Sequence, residues 1–306
     1  MVLFNLTYVI IISKMTVYII ANPHAGNRQA RTIVEKIKSY FTEEVVVFYT
    51  EKKDDEKRQV EKLQKVFVKS DQIMILSGDG TLSKVLYYLP VEIPVAYYPV
   101  GSGNDFANAL NLPGLEDTIN AMKSGTIKSF NCFKYDSGLM INSLDMGFPA
   151  YVVNKASKSK LKAFLNKIYL GKLTYIAMAI KSLFKTPLAQ VSLEKENGQI
   201  LHLDHLYLFS LANNTYFGGG ITIWPDALAF HSNLDLVYAK DFSFYKRIVL
   251  LLSIVCKKHK LNSHLKHESL TKLSISFSEN SLIEIDGEIL NLEHITLNSE
   301  RRFLYM

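Results

Sequence analysis

PVAYYPVGSGNDFA, residues 94–107, decides how this chain is read. A short β-rich apolar run, Pro94–Tyr98, passes straight into a loop of glycines, asparagine and aspartate, and a helix-compatible stretch runs on to about Leu110. The same order of strand, glycine loop and helix occurs twice upstream. TVYIIANPHAGN, residues 16–27, precedes a helical pattern from about Arg28 to Tyr40, and IMILSGDGT, residues 73–81, precedes one ending near Leu89. Val45–Thr50 is strand-like, and the charged segment Asp54–Lys69 places Val60, Leu63, Val66 and Phe67 at helical spacing. Alternating strands and helices with short connections predict a doubly wound parallel sheet, an α/β domain.

After about residue 125 the rhythm changes. Ser129–Tyr135, Leu139–Leu144, Leu188–Glu194, Gln199–Leu211, Leu234–Ala239, Leu270–Phe277 and Ser281–Ile285 read as strands in succession, and Asn197-Gly198 is a strong hairpin signal. Helical stretches interrupt them at about 157–185 and 244–259. The expected division is an α/β nucleotide-binding domain over 15–128 and a β-rich sandwich over 129–306, with room for the last strand to return to the first domain. A length of 306 residues suits two domains.

In an open parallel sheet ligands bind at the carboxyl ends of the strands, where the three loops must lie. Glycine lets backbone approach a phosphate closely, and a following helix offers free N–H groups and a positive dipole end. Three such loops in register point to a nucleotide. GxxxxGK[ST] is absent, as is GxGxxG after the first strand, so neither a P-loop nor an ordinary dinucleotide fingerprint applies. Asp79 stands between Gly78 and Gly80, where phosphates should sit. A carboxylate there acts through Mg²⁺ or accepts from a hydroxyl, or it caps the helix beginning near Thr81.

Asn22-Pro23-x-Ala25-Gly26, Gly78-Asp79-Gly80-Thr81 and Pro99-x-Gly101-Ser102-Gly103-Asn104-Asp105-Phe106-Ala107 strongly resemble the diacylglycerol kinase catalytic-domain family. This superfamily holds bacterial lipid kinases, sphingosine kinases and, more remotely, NAD kinases. Later segments agree in order: Ile141-Asn142 through Gly147-Phe148, Gly218-Gly219-Gly220 before Pro225-x-Ala227, Leu234-Asp235-Leu236, and Asp286-Gly287-Glu288. The resemblance implies a Rossmann-like or phosphofructokinase-like domain followed by a β-sandwich, and an ATP- and Mg²⁺-dependent kinase acting on a lipid hydroxyl, diacylglycerol first. By position, Asn22, Thr50, Gly78, Asp79, Gly80, Thr81 and Ser102 match nucleotide-contacting places, with Gly101, Gly103, Asn104 and Asp105 in the same loop. The general base matches Asp286 or Glu288, with Asp79 the next candidate. A carboxylate suits that role because it can take the hydroxyl proton as the phosphoryl group moves. The dipeptide Asp286-Gly287 on its own reads as a hairpin turn.

The chain departs from the pattern at Ser77, which replaces a glycine, and at Ser102, where threonine is common. A third departure matters more. The family reads Asp-Gly-x-Leu-Asp where a structural Mg²⁺ is held, and this chain reads His231-Ser232-Asn233-Leu234-Asp235. Hard cations prefer oxygen ligands, so a site at Leu228, His231 and Asn233 is expected to be weak or absent.

The net charge of +6 is uneven: residues 1–130 hold 15 basic and 14 acidic side chains, residues 131–306 hold 20 and 15. From Lys155 to Lys185 there are eight lysines and no acid, with Leu161, Phe164, Leu165, Ile168, Leu173, Ile176, Ile180 and Leu183 at helical spacing. The segment reads either as a helix with a solvated basic face or as a surface for anionic lipid, to which Lys257, Lys258 and Lys260 could add. Two cysteines suit a reducing compartment, and no apolar run is long enough to span a bilayer, so a cytoplasmic protein bound peripherally to membrane is expected. Nucleic acid is not an expected partner, since no known binding module is visible; a homodimer is compatible with the sequence. Residues 1–14 look out of place, and Met15 is the expected start because Thr16 already opens a complete strand. The competing readings are a kinase of a soluble substrate such as NAD and a non-catalytic nucleotide- or lipid-binding regulator.

Overall fold

The computed structural model describes residues 15–25, 29–101, 103–158, 178–216, 220–279 and 281–306. The first 14 residues and most of the Lys155–Lys185 segment therefore lie outside the described residues. Strands β1 (Thr16–Ala21), β2 (Glu44–Tyr49), β3 (Gln72–Ser77) and β4 (Val95–Pro99) form a parallel sheet in the order β2-β1-β3-β4. Helices α1 (Ala30–Lys38), α2 (Glu56–Gln64), α3 (Asp79–Tyr88), α4 (Asp105–Ala109) and α5 (Leu115–Ser124) alternate with or follow them.

The central strands are apolar without alternation because both faces are covered. Ile20, Ile73 and Ile75 pack with Val60 and Leu63 of α2 and Leu82, Val85 and Leu86 of α3. Val17, Ile19, Met74 and Leu76 pack on the other side with Ala30, Val34 and Ile37 of α1 and Ile119 and Met122 of α5. The spacing of Ala30, Val34 and Ile37 puts all three on one helical stripe, which is why this short charged helix docks at all.

The second half is antiparallel. Its strands are β5 (Ile127–Tyr135), β6 (Gly138–Met140), β7 (Ser143–Gly147), β8 (Ala189–Lys195), β9 (Ile200–Ala212), β10 (Leu234–Lys240), β11 (Lys266–Leu270), β12 (Leu273–Phe277), β13 (Ile283–Ile285), β14 (Glu288–Leu290) and β15 (His294–Tyr305). Helix α6 (Phe148–Ser157) follows β7, and α7 (Phe244–Val255) follows β10. The sandwich core is built from inward residues such as Leu144, Met146, Leu193, Phe209, Leu211, Leu236, Ile275 and Ile283. Strand β15 ties the two halves together. Its start pairs with β12, residues 298–305 pair with β5, and Leu304 lies beside Val95 of β4. Buried Arg302 on β15 donates to Leu89 O at 2.8 Å, fixing the strand to the end of α3.

Two stretches that read as single strands are broken. Leu139–Leu144 splits into β6 and β7 because the amides of Ile141, Asn142 and Ser143 turn to a carboxylate. Leu270–Phe277 splits at Thr271-Lys272 into β11, which pairs with β10, and β12, which pairs with β8 and β15.

Candidate active site

The first residues after the parallel strands continue the ladder, which places their loops side by side. Asn22 N donates to Leu76 O at 3.0 Å, Thr50 N to Ala21 O at 3.0 Å, and Val100 N to Ser77 O at 2.9 Å. Side chains then link the loops. Asn22 Nδ2 donates to Thr81 Oγ1 at 3.1 Å, and Thr81 Oγ1 donates to Glu56 Oε1 at 3.0 Å. Glu56 is a residue that sequence reading passed over, because it sits in a run of surface charges; its burial at the start of α2 is visible only in three dimensions.

Asp79 opens α3 but does not cap it. The cap position is Gly78, and the Asp79 carboxylate reaches sideways to α4, accepting from Asp105 N at 2.7 Å and Phe106 N at 3.4 Å. Of the alternatives open on sequence, a cap on the helix near Thr81 is therefore not what Asp79 forms: its carboxylate is taken by the free amides that start α4. Tyr97 Oη donates to it at 3.1 Å. Burial, and then the nearby Asp105 charge, push its pKa up to about 6. Asp105 is itself buried, and its Oδ1 accepts from Gly220 N at 2.7 Å, joining the third loop to the sandwich half.

The second and third loops touch through glycine. A Cβ on Gly101 would stand 2.8 Å from Gly78 Cα and 2.8 Å from Asn104 Oδ1, whereas one on Gly80 would meet nothing within 4 Å. Asn104 adopts a left-handed conformation (φ 57°) as it turns the chain into α4, and its buried Oδ1 has no hydrogen-bond partner among the described residues. A Cβ on Gly103 would stand 3.3 Å from Asp105 Oδ2; Ser102 lies outside the described residues.

Asp286 and Gly287 form the turn between β13 and β14, both with positive φ (49° and 89°), as a two-residue hairpin of this kind requires. The hairpin aims the Asp286 carboxylate at the break between β6 and β7. Oδ2 accepts from Ile141 N at 2.7 Å, and Oδ1 accepts from Asn142 N at 2.7 Å and Ser143 N at 3.1 Å. Those bonds favour the charged form, but burial outweighs them and, with Asp79 adding its charge, the pKa rises to about 7. Glu288 begins β14 and is held elsewhere: its carboxylate and that of Asp54 both pair with Lys84 of α3 at 2.6 Å. Backbone amides, not Glu288, orient Asp286.

Asp286 and Glu288 line a cleft of about 300 Å³ together with Gly80, Glu56, Lys84 and Tyr135. The glycine loop after β3 and the hairpin of the sandwich thus face one another across a shared space.

Behind the hairpin, Glu284 of β13 lies opposite Asp145 of β7, both fully inside the protein. Burial raises both pKa values, and the neighbouring Asp145 raises Glu284 further. Glu284 Oε1 accepts the Gly287 N–H, and Ser143 Oγ donates to Asp145 Oδ2 at 2.6 Å. A carboxyl whose pKa is higher folded than unfolded contributes stability at low pH that is lost as pH rises through the folded value. Glu284→Gln keeps an acceptor for Gly287 and removes the titration. Below the ordinary glutamate value of 4.5 that stability is complete, so the wild-type melting temperature is expected to fall as pH rises above it, and the variant's to fall less. Parallel melting curves above that value would remove the pair as a titrating unit.

The donor set tests two Mg²⁺ sites. Asp79 and Asp105 are adjacent hard oxygen donors whose mutual repulsion a cation would relieve, and Mg²⁺ commonly uses one or two carboxylates plus phosphate oxygens. They fit. The Leu228, His231 and Asn233 position does not: Leu228 O accepts from His231 N at 2.9 Å, the Asn233 amide is turned to Ser269, and His231 points to solvent.

Residues 16–135 match the family model described as "Diacylglycerol kinase catalytic domain", and residues 143–299 match the "YegS C-terminal NAD kinase beta sandwich-like domain". A protein of Shewanella frigidimarina named "Probable lipid kinase YegS-like" is 26% identical over 71% of this chain and 70% of its own. One of the same name from Pectobacterium atrosepticum is 23% identical over 93% of both. Crystal structures from Bacillus anthracis str. Sterne assigned to the diacylglycerol kinases superpose on 96% of this chain and 97% of theirs, with TM-scores of 0.74 and 0.65 at 21% and 17% identity. With both family models matched in order along one α/β-plus-sandwich chain, the protein belongs to the YegS-like lipid kinases of the diacylglycerol kinase catalytic-domain family.

Proposed function

We propose that the chain transfers the γ-phosphoryl group of Mg·ATP to the hydroxyl of a membrane lipid, diacylglycerol in the first instance, yielding phosphatidic acid. The observation that carries this reading is Asp286: a carboxylate fixed by three backbone amides, with a pKa near neutrality, lining the same cleft as the Gly80 loop. An alcohol does not ionise at neutral pH, so its proton must leave as the bond to phosphorus forms. Asp286 Oδ2 takes only one of the three amide bonds and keeps a lone pair for that proton. Glu288, tied to Lys84, is less suited to the role.

Asn22, Thr81 and the Gly78–Gly80 backbone would receive the phosphates, with Thr50, Gly101, Gly103 and Asn104 shaping the edge of the nucleotide site. Asp79 and Asp105 would hold Mg²⁺, which when bound with ATP neutralises charge on the transferred group. Relatives named as lipid kinases support a lipid acceptor.

The test is incubation with labelled ATP, Mg²⁺ and either diacylglycerol in mixed micelles or NAD. Label is expected in the lipid product alone. Labelled NAD with untouched lipid would replace this reading by a soluble-substrate kinase.

A further inference from the structure

Helix α7, FYKRIVLLLSIV, is turned the wrong way round for water. Of its twelve residues only Leu250 and Ile254 are buried, while Tyr245 is 74% exposed, Leu252 58% and Val255 74%. The outer stripe of a surface helix is normally polar. Here it runs Tyr245, Val249, Leu252 and Val255, with Cys256 exposed at its end.

The face extends beyond the helix. Phe184, 68% exposed, stacks on Phe244 with ring centroids 4.7 Å apart, and Arg247 Nη1 donates to Leu183 O at 3.1 Å. These contacts bring Leu183 and Phe184 alongside α7, and Ile180, four residues before Phe184 in the chain, is 58% exposed. A contiguous exposed apolar patch of this kind marks an interaction site.

Its charge selects the partner. Residues 178–188 and 242–261 hold seven Lys and Arg and no Asp or Glu. Arg247 pairs with Asp241 and Lys260 with Asp226, while Lys181, Lys185, Lys246, Lys257 and Lys258 stand exposed around the patch. Protein interfaces are depleted in lysine, whereas an apolar stripe flanked by lysines is the pattern of a helix lying in an anionic lipid surface.

Building on the lipid-kinase reading, we propose that the outer face of α7, with Ile180 and Phe184, docks the protein on anionic bilayers, Tyr245, Leu252 and Val255 entering the headgroup layer and the flanking lysines meeting lipid phosphates. Among the described residues no helix is long and apolar enough to cross a membrane, which suits attachment from one side.

The experiment uses the full chain with phosphatidylcholine vesicles, with and without phosphatidylglycerol. Cys256 is exposed and Cys132 buried, so an environment-sensitive fluorophore on Cys256 reports from the edge of the face. Its emission is expected to shift blue on anionic vesicles only, and added salt should weaken binding. The double variant Leu252→Glu, Val255→Glu should bind anionic vesicles at least about tenfold more weakly, with ATP affinity and melting temperature unchanged. Undiminished binding by that variant overturns the proposal. So does a wild-type dimer that the variant dissolves, which would assign the face to a second copy, or the absence of vesicle binding by the wild type. Vesicle binding through α7 without phosphorylation of any lipid would keep the docking surface and remove the kinase reading instead.

Discussion

Asp286→Asn is expected to lower turnover by about 10²–10⁴ while leaving ATP affinity nearly intact, the usual worth of a general base. Asparagine matches the shape and tolerates the left-handed backbone that position 286 adopts, so the turn is kept. Its Nδ2 cannot accept the backbone amide bond of the oxygen it replaces, and a melting curve of the variant separates that loss from the loss of proton acceptance. The pH profile supplies a second readout. With its pKa raised to about 7, Asp286 is protonated in acid, so kcat/KM should climb with pH and level off above neutrality. Asp79, raised to about 6, adds a second ionisation, and the slope should steepen below that pH. In the Asp286→Asn enzyme the limb near 7 should vanish. Near-normal turnover in Asp286→Asn together with loss in Glu288→Gln would reverse the roles of the two acids, and the Lys84 ion pair would then have to open during the reaction.

Gly101→Ala should weaken ATP binding at least about tenfold, close to 1.4 kcal/mol. The added methyl meets two groups at 2.8 Å. Asn104 Oδ1 is a side-chain tip that can swing away. Gly78 Cα is backbone, and moving it displaces the loop that the Val100 N–Ser77 O bond anchors. Calorimetric titration with ATP measures the effect, and Gly114→Ala, whose Cβ would meet nothing within 4 Å, is the matched control. Equal affinity in both variants would take the nucleotide away from these loops. Loop chemistry alone marked Gly78 and Gly80 as the phosphate glycines, but the steric demand falls most heavily on Gly101.

The parallel sheet was legible in residues 16–107 because its signals are local. An unbroken apolar run of five or six residues must be buried on both faces, and a glycine loop before a helix can sit only at a strand's carboxyl end. The motifs likewise named Asp79, Asp105 and Asp286 before any geometry was known. What local pattern could not carry was direction. Whether Asp79 caps its own helix or the neighbouring one depends on α4 lying within reach, and that follows from the close approach of Gly78 and Gly101. Glu56 lay in a charged segment and Lys84 carried no signal of its own in the sequence; folding sets both at a cleft formed with a hairpin some two hundred residues away. Of Asp286 and Glu288, two apart in the chain, the sequence favoured Asp286 as the base because it ends the apolar strand Leu282–Ile285, but the partners of neither acid were readable. Folding separated them, since a turn with two positive φ angles sends one carboxylate to three backbone amides and leaves the other to a lysine. A side chain's identity is written in the chain, but its pKa and partners are set by burial and by charges from distant segments, which exist only once the two halves are packed together.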